Sequence, residues 1–523
     1  MSKKHDGLQV SGVKISMKSV LDYLENTANI KSEEVAVVCE DETLTWGELC
    51  LTTKKIGSGL GGFFKQRKPV PVLAEKSIDT LCAFLGAIYA GCFYVPLNPL
   101  LPKERLNHIL KTLDCDMLVA NEENLQLARE LVSEDSVILI SDLKKTKIDD
   151  ELLKQIRLSS IDTDPLYAMF TSGSTGVPKG VLVSHRCVID FIDGFTEIFN
   201  ITENDILANQ APFDFDVSVK DIYSCIKTGA RLVLVPKKFF SLPMELLDYL
   251  CKNDITTMIW AVSALCLITT FHGLDYKTPE KVNKILFSGE VMPFKHLKEW
   301  HSHLPQAMLV NLYGPTEITC NCTYYILNEN WQEMESLPIG KAFPNRNVFL
   351  LDENNNEVTD IETTGEICVG GTSVSLGYYN NVQQTEQAFV QNPLNKVYRE
   401  IIYKTGDMAQ YDADGNLCFR GRKDFQIKYM GHRIEIEEIE KAMESIDKIE
   451  RACCIFDEAK SRLYGFYVGD MDKKEFHSVL REKLPEFMVP SALRNIEEMP
   501  LTKNGKIDRK ALFEMKGGGK RGV

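Results

Sequence analysis

Short apolar segments of strand length alternate with helical segments through the first 160 residues. Such segments lie at 34–39, 70–73 and 93–96, and a mostly apolar helical segment at about 78–90 separates the last two. Parallel strands need a crossover connection, which is usually a helix, so this alternation is typical of a sheet with helices on both faces. The pattern therefore predicts an α/β fold with a doubly wound parallel sheet.

The alternation returns after residue 230 and predicts a second α/β layer. Residues 231–235, 256–259 and 284–287 have the composition of buried strands, and 246–252 that of a helix. Beyond about residue 337 the chain changes to short β-rich segments separated by turn signals. We therefore expect a small β unit that closes a large amino-terminal domain.

After residue 422 the chain starts a separate unit. Ile436, Ile439, Met443 and Ile446 recur at helical spacing, and glutamates occupy the other faces of the same segment. A chain of 523 residues is too long for one hydrophobic core. We therefore expect a large domain at 1–422 and a small, mobile α+β domain at 423–523.

Composition narrows the class of protein. The net charge of −14 argues against a nucleic-acid partner. The fifteen cysteines are scattered and form no Cys-x-x-Cys pair, which predicts reduced thiols and no metal–thiolate site. The amino terminus lacks the apolar segment of a signal peptide, and glycines and prolines interrupt the charge-free stretch between Asp79 and Lys103, which argues against a membrane span. We expect a cytoplasmic protein.

A loop rich in glycine, serine and threonine, at 171–180, joins apolar strands at 166–170 and 181–183. Its glycines let backbone N–H groups approach a ligand, its hydroxyl groups add donors, and Lys179 adds a cation, so the loop predicts a phosphate cradle. It is not a Walker A loop, because Pro178 and Gly180 flank the lysine. A mobile linker is the alternative that composition leaves open.

Two short polar turns follow apolar segments elsewhere. The turn from Tyr313 to Glu317 offers a hydroxyl and a carboxylate at a strand end, which suits a nucleotide-metal site. The turn from Tyr403 to Asp407 ends a strand with an acid that could hold ribose hydroxyls. Taken alone, each is more typical of an ordinary turn.

Together with the loop, these turns resemble the motifs of the adenylate-forming superfamily, which includes acyl-CoA synthetases, luciferases and the adenylation domains of nonribosomal peptide synthetases. Within it the chain is most similar to the amino-acid branch, including free-standing D-alanine carrier-protein ligases. The motifs occur in the family's order over nearly the whole chain, at 44–49, 91–105, 171–180, 215–216, 313–317, 365–366, 403–407, 421–433 and 504–509. One such motif is weak, but this ordered set is specific.

The resemblance implies a two-step, AMP-forming ligase reaction. A carboxylate attacks the α-phosphorus of ATP to give an acyl-adenylate and pyrophosphate, and a thiol then displaces AMP to give a thioester. Two anions must meet, so the site needs cations and Mg2+. By the family's pattern Lys506 bridges the substrate carboxylate and the α-phosphate, Glu317 binds Mg2+ and Thr316 binds an α-phosphate oxygen. Without the resemblance, Lys506 is typical of an exposed turn.

The resemblance also implies how ATP is held. Asp407, helped by Arg422, would bind the ribose hydroxyls, and Tyr313 would stack on adenine. The β- and γ-phosphates would be held by the loop residues Thr171, Ser172, Gly173, Ser174, Thr175 and Lys179.

Asp424 matches the family's hinge position. The resemblance implies that the small domain rotates about this residue, replacing Lys506 by a second face, near Lys428 and Gly431, that admits the thiol. Without the family, Asp424 is a loop-capping acid.

The acyl substrate is expected near residues 215–219. By resemblance Asp216 pairs with the α-ammonium group of an amino acid, although Asp216 or Asp214 could instead cap the following helix. Lys220 is unusual, because the D-alanine ligases have an apolar residue there. If Lys220 points into the pocket, it favours a substrate with an acidic or amide side chain. If it points out of the pocket, the pocket could hold a small substrate side chain. The further pocket positions carried over from the family are Val217, Ser263, Leu286, Ser288, Leu312, Cys320 and Asn321.

No segment after Lys506 is long enough for a carrier domain, so we expect the thiol to come from the phosphopantetheine arm of a separate carrier protein. The favoured function is ATP- and Mg2+-dependent activation of an amino acid and its transfer to that carrier. An acyl-CoA or aryl-CoA ligase of the same fold and a catalytically silent scaffold module are the alternatives. The sequence leaves the amino acid, its stereochemistry, the carrier and the oligomeric state open.

Overall fold

The computed structural model describes residues 9–10, 13–14, 17–173, 177–502 and 507–516. The predicted phosphate-cradle residues Ser174 and Thr175 and the predicted catalytic Lys506 lie outside the described residues. At the amino-terminal end Gln9–Val10 pairs antiparallel with Val13–Lys14.

The first sheet carries the predicted phosphate loop at its edge. It is parallel except for that edge, where the two strands joined by the loop run antiparallel. Every residue of the two central strands is buried, as expected where helices cover both faces. In spatial order the strands are Lys179–Ser184, Pro165–Thr171, Phe93–Leu97, Pro69–Leu73, Leu118–Ala120 and Val137–Leu139.

The second sheet carries the predicted metal and substrate residues, and it confirms the second α/β layer. Its middle strands are parallel and antiparallel strands flank them. In spatial order the strands are Lys341–Ala342, Thr323–Ile326, Met308–Tyr313, Lys284–Ser288, Thr257–Ala261, Ile206–Asn209, Arg231–Leu234, Val35–Cys39 and Glu42–Thr45.

The strand Val35–Cys39 does not lie with its sequence neighbours. The alternation in the first 160 residues predicts that it joins the sheet of Pro69–Leu73, but it pairs in parallel with Arg231–Leu234 in the second sheet. That part of the prediction is wrong. An apolar strand fits any buried parallel sheet, so its pattern does not encode which distant strand becomes its partner.

The small β unit predicted beyond residue 337 is an antiparallel sheet. In spatial order its strands are Glu357–Val358, Arg346–Leu351, Gly365–Gly371, Ile401–Tyr411 and Phe389–Gln391, with Leu417–Arg422 also paired to Ile401–Tyr411. It leads into the small carboxy-terminal domain.

The carboxy-terminal domain has its own core. It starts with the hairpin Gln426–Tyr429 and His432–Glu435 and contains a sheet of Ile449–Asp457, Arg462–Gly469 and Ala492–Asn495. Its buried apolar residues form clusters with each other and with no residue before Ile427, in the part of the chain that the structure describes. This confirms a small α+β domain after the large one.

Helices flank the sheets, and several start where a side chain caps them. Thr45 and Glu48 form a capping box, and Ser77 accepts from the Thr80 N–H. No helix among the described residues has the length and apolar content to cross a bilayer. The helices are Leu21–Ile30, Trp46–Leu60, Ile78–Tyr89, Lys103–Leu113, Leu125–Leu131, Ile140–Leu143, Asp150–Ser159, His185–Ile198, Val217–Thr228, Pro243–Lys252, Val262–Thr270, Gly273–Tyr276, Phe294–His303, Val382–Ala388, Ile436–Glu444, Lys473–Lys483 and Arg509–Met515.

The close approach of the helices Trp46–Leu60 and Ile78–Tyr89 gives a stability test. A Cβ atom at Gly86 would lie 2.3 Å from Cγ2 and 2.7 Å from Cβ of Ile56. We expect Gly86→Ala to lower the free energy of unfolding by about 1–3 kcal/mol, because overpacking outweighs the gain in helix propensity. Urea denaturation followed by tryptophan fluorescence measures this change.

Gly194→Ala is the matched control, since Gly194 also lies in a helix but the nearest atom to its Cβ would be Cδ of Pro344 at 3.7 Å. This variant should keep its stability or gain up to about 1 kcal/mol. Equal destabilisation of both variants would contradict the tight contact at Gly86.

Candidate functional site

The turn from Tyr313 to Glu317 is the centre of the site. It follows the strand Met308–Tyr313 at the carboxyl edge of the second sheet, where parallel strands bring their ends together. The Tyr313 hydroxyl donates to Oδ2 of Asp407 at 2.5 Å. Burial raises the pKa of Asp216, whereas Lys220 and the nearby Thr316 hydroxyl lower it. This turn therefore contacts the residue predicted for ribose and lies beside the residue predicted for the α-ammonium group.

The last residue of the turn, Glu317, is fully buried and ion-paired. Nη1 of Arg433 lies 2.7 Å and 3.0 Å from its two oxygens, and the Tyr378 hydroxyl donates to Oε1 at 2.8 Å. Burial alone would raise the pKa of Glu317, but Arg433 and Lys179 outweigh it and hold the pKa below its usual value. Glu317 is therefore an ionised carboxylate at neutral pH.

An ionised buried carboxylate fits the predicted Mg2+ ion. Mg2+ binds proteins through one or two carboxylates and completes its shell with water and phosphate oxygens, so a dedicated cage is not needed. In the described residues no group of three or more His, Cys, Asp or Glu side chains could hold a metal by itself. Glu317 suits a metal that arrives with a nucleotide, and its partner in this structure is Arg433.

The described ends of the phosphate loop also contact the carboxy-terminal domain. The Ser172 hydroxyl donates to the carbonyl of Arg433 at 2.7 Å, and the Gly173 N–H donates to Oε2 of Glu438 at 3.2 Å. A Cβ at residue 173 would lie 2.2 Å from the Val177 carbonyl oxygen, so only glycine fits there. A carboxylate thus accepts from an N–H group of the predicted phosphate cradle.

Two further loop residues line the same region. Nζ of Lys179 lies 5.1 Å from the ring centroid of Tyr378. Burial lowers the pKa of Lys179, nearby Arg433 adds to that effect, and Glu317 opposes it. Oγ1 of Thr171 is buried without a hydrogen-bond partner among the described residues, which leaves a donor for a ligand.

The predicted ribose-binding pair is brought together and extends to the predicted hinge. Arg422 is ion-paired to Asp407, and it also donates to Asp424 at 2.7 Å and 2.9 Å. Asp424 accepts the Gln426 N–H at 3.2 Å, so it does cap the hairpin that follows. Lys428 of the small domain also reaches this region. Its Nζ lies 5.2 Å from the ring centroid of Tyr313, the residue on whose ring adenine is predicted to stack.

The predicted pocket residues gather at the carboxyl edge of the second sheet. Ser288 and Leu312 are register partners on adjacent strands, and Ala261, two residues before Ser263, pairs with Ser288 on the other side. The others lie at the start of the helix Val217–Thr228, within Lys284–Ser288, or just after the central turn. They are Asp216, Val217, Lys220, Leu286, Cys320 and Asn321.

The helix-capping alternative for Asp216 is wrong. Asp216 precedes the helix Val217–Thr228, but its side chain makes no capping hydrogen bond. Asp214 accepts from Nδ2 of Asn98 at 3.3 Å instead. The thiol of Cys320 donates to the carbonyl of Asp216 at 3.1 Å, which ties the aspartate to the segment after the central turn.

Lys220 points toward other predicted pocket positions. Its Nζ lies 2.9 Å from Oδ1 of Asn321 and 3.5 Å from Oγ of Ser288. The residue is 1% exposed. Of the two orientations that the sequence leaves open, the structure has the inward one.

The contacts made by the carboxy-terminal domain were not predicted from the sequence. Arg433 and Glu438 reach the predicted metal and phosphate positions, and the Gly431 N–H donates to Oε1 of Glu290 at 2.8 Å. His432 stacks on Phe487 and meets the edge of Phe215. The segment 421–433 is a recognised motif of the family. The sequence around Arg433 does not indicate its partner Glu317, however, because the two residues are 116 positions apart.

Comparison with known proteins agrees with this geometry. Residues 24–379 match the family described as AMP-binding enzyme, and residues 438–506 match the AMP-binding enzyme C-terminal domain. The chain belongs to the AMP-binding enzymes. Its match to the second domain ends at Lys506, the predicted catalytic lysine.

Relatives of this AMP-binding enzyme place it in the adenylation-domain branch of the nonribosomal peptide synthetases. Zwittermicin A synthase ZmaJ of Bacillus cereus is 32% identical over 491 residues, which cover 92% of either chain. Bacitracin synthase 1 of Bacillus licheniformis is 32% identical over 511 residues, which cover 95% of this chain and 9% of the synthase. The chain therefore spans less than a tenth of the bacitracin synthases it matches.

Solved structures agree in fold. The Vibrio cholerae adenylation domain AlmE, determined with glycyl-adenosine-5'-phosphate, superposes with a TM-score of 0.84 at 21% identity and covers 98% of this chain and 100% of that one. Holo-PA1221, an NRPS protein with adenylation and PCP domains, gives a TM-score of 0.79 at 22% identity over 95% of this chain and 84% of that one. The predicted α/β fold with a small carboxy-terminal domain is confirmed.

Proposed function

We propose that this AMP-binding enzyme activates an amino acid and loads it onto a carrier protein. A carboxylate oxygen of the amino acid forms a bond to the α-phosphorus of ATP, and the bond to the β-phosphate breaks to release pyrophosphate. The phosphopantetheine sulfur of the carrier then bonds to the acyl carbon. AMP leaves with the electrons of its bond, and the thiol proton passes to solvent.

The contacts of the central turn carry this proposal. Thr316, predicted to bind the α-phosphate, lies beside Asp216, predicted to bind the α-ammonium group, and lowers the pKa of that carboxyl group. Tyr313 in the same turn contacts Asp407, predicted to bind ribose. The residue proposed to bind the amino group therefore lies beside the expected place of reaction, which favours an amino acid over a fatty or aryl acid.

The remaining roles follow the same arrangement. Asp407 and Arg422 bind ribose, Tyr313 stacks on adenine, and Glu317 holds Mg2+. When bound, the metal supplies positive charge that offsets the repulsion between the phosphates and the attacking carboxylate. The pyrophosphate end of ATP is gripped by Thr171, Ser172, Gly173, Lys179, Ser174 and Thr175, the last two lying outside the described residues.

We further infer that adenylation uses a second orientation of the small domain. Arg433 takes the carboxylate proposed for Mg2+, and Glu438 takes an N–H group of the phosphate loop. MgATP can use these groups only after the domain 423–523 moves away from the domain 1–422. The orientation described here, with Lys428 and Gly431 over the site, suits thioester formation, and rotation about Asp424 brings Lys506 in for adenylation.

Similarity to ZmaJ along 92% of both chains supports an adenylating ligase. The aspartate at 216 supports an amino-acid carrier-protein ligase, which we place in the cytoplasm. Similarity to the D-alanine ligases in particular is weakened by Lys220, whose ammonium group occupies a position that is apolar in those enzymes.

Lys506→Ala tests the proposed function. The wild-type chain should catalyse exchange of labelled pyrophosphate into ATP only when an amino acid is present, and it should form a thioester on a phosphopantetheinylated carrier. In the variant we expect exchange to fall by about 10³-fold with ATP affinity nearly unchanged, because the lysine acts on charge that develops in the transition state.

Lys510→Ala is the control, because Lys510 is exposed in the helix Arg509–Met515 and should leave the rate unchanged. An unchanged exchange rate in Lys506→Ala would refute the assignment of that lysine. Exchange by the wild type with fatty or aryl acids but with no amino acid would refute the proposed function.

Asp424→Pro tests the hinge. Proline fixes φ and removes the N–H group, so rotation at this position should be restricted. We expect the two half-reactions to lose rate unequally, with pyrophosphate exchange reduced more than transfer of a preformed aminoacyl-adenylate to the carrier. Single-turnover assays of the separate steps measure the difference.

Asp424→Ala is the matched control for that experiment. It also removes the contact with Arg422 but leaves the backbone free to rotate. Equal loss of both half-reactions in Asp424→Pro, or the same profile in both variants, would argue against a hinge at this residue.

A further inference from the structure

Lys220 is a buried cation without a carboxylate partner at contact distance. Its Nζ contacts neutral oxygens, at 2.9 Å on Asn321 and 3.5 Å on Ser288. In the part of the chain that the structure describes, no carboxylate oxygen lies within 4.0 Å of this nitrogen. An ammonium group removed from water is costly unless an anion lies close to it.

The acidic groups that act on Lys220 are Asp216 and Asp221. Asp216 lies by the Thr316 hydroxyl and is the residue proposed to bind the substrate α-ammonium group. Asp221 accepts from Nδ2 of Asn209 at 2.8 Å, and burial raises the pKa of Asp221 to about 7. Burial lowers the pKa of Lys220, while Cys320, Asp216 and Asp221 oppose that change. The surrounding protein groups therefore offset only part of the positive charge of Lys220.

The ammonium group of Lys220 lies at the proposed amino-acid site. Lys220 lies one helical turn after Asp216, at the amino-terminal end of the helix Val217–Thr228. The two side chains therefore lie on the same face of that helix. Ser288 ends a strand of the second sheet, and Asn321 follows the central turn. The cation therefore lies among three elements that also bound the proposed amino-acid site.

We propose that the amino acid activated by this chain carries an anionic side-chain carboxylate, as in aspartate or glutamate, and that Lys220 is the residue that selects it. The inference rests on the proposed function. It assigns the substrate ammonium group to Asp216 and the substrate side-chain carboxylate to Lys220, with Asn321 and Ser288 positioning the lysine.

The number of charges in the site distinguishes amino acids with an acidic side chain from those with an uncharged one. An amino acid with an uncharged side chain brings a second ammonium group beside Lys220, and the two cations then share Asp216. A side-chain carboxylate removes this excess and gives the lysine an ionic partner. A carboxamide of the same size can accept a hydrogen bond but adds no charge, so it is the sharpest comparison.

The test compares isosteric pairs in the pyrophosphate exchange assay with the wild-type chain. Glutamate against glutamine and aspartate against asparagine, each in both stereochemical forms, differ in charge at almost constant size. We expect kcat/KM for one of the acids to exceed that for its amide by at least about tenfold. Lys220→Met should lower kcat/KM for that acid by about 10²-fold or more and leave the value for the amide unchanged or higher.

Lys227→Met is the matched control, because Lys227 lies in the same helix but contacts Thr196 and Asp193 outside the site. It should keep the wild-type preference. The loss in Lys220→Met should be mainly in KM if the lysine binds the side chain in ground and transition states alike. Thermal unfolding of Lys220→Met reports whether it folds, and the wild-type comparison needs no variant.

The possible results separate the two levels of the proposal. If an uncharged amino acid is the best substrate and Lys220→Met does not change the preference, the acidic substrate is refuted while the proposed function stands. If no amino acid supports exchange, both fail. Preference for the acid in the wild type, lost in Lys220→Met and kept in Lys227→Met, supports both.

Discussion

The buried ion pair between Arg433 and Glu317 is the interaction on which the arrangement of the two domains depends. Glu317 belongs to the large domain and is fully buried, and Arg433 reaches it from the small domain. Taking one partner away from such a pair leaves an unpaired buried charge, at a cost of about 3–5 kcal/mol. The small domain therefore cannot leave unless another cation or water takes the place of the arginine.

This constraint gives the catalytic cycle a physical order. The groups proposed for MgATP are those that the small domain covers: Glu317 by Arg433, and the Gly173 N–H by Glu438. The small domain thus presents a cation where the metal is expected and a carboxylate where a phosphate is expected. In the proposed cycle, the same pairings would stabilise the orientation in which Lys428 and Gly431 lie over the site once pyrophosphate and metal have left.

Much of this site could be predicted from the sequence, and the remainder could not, for an identifiable reason. The loop at 171–180 and the turn from Tyr313 to Glu317 are local motifs whose residues stay close together in any fold. Asp407 and Arg422 are brought together by the antiparallel pairing of two neighbouring strands. The partner of Glu317, the sheet of Val35–Cys39 and the direction of Lys220 depend on contacts between segments far apart in the chain. Local composition and spacing do not encode such contacts.

The most direct test is the distance between the domains in solution. Spin labels on non-natural amino acids at the exposed residues Glu151 and Lys474 avoid the fifteen native cysteines, and pulsed electron paramagnetic resonance gives the distance distribution. We predict a distinct, second distribution when Mg2+ and a non-cleavable ATP analogue are added together, because the metal displaces Arg433 from Glu317. One unchanged distribution with and without the bound nucleotide would contradict a Glu317 shared between the metal and the small domain.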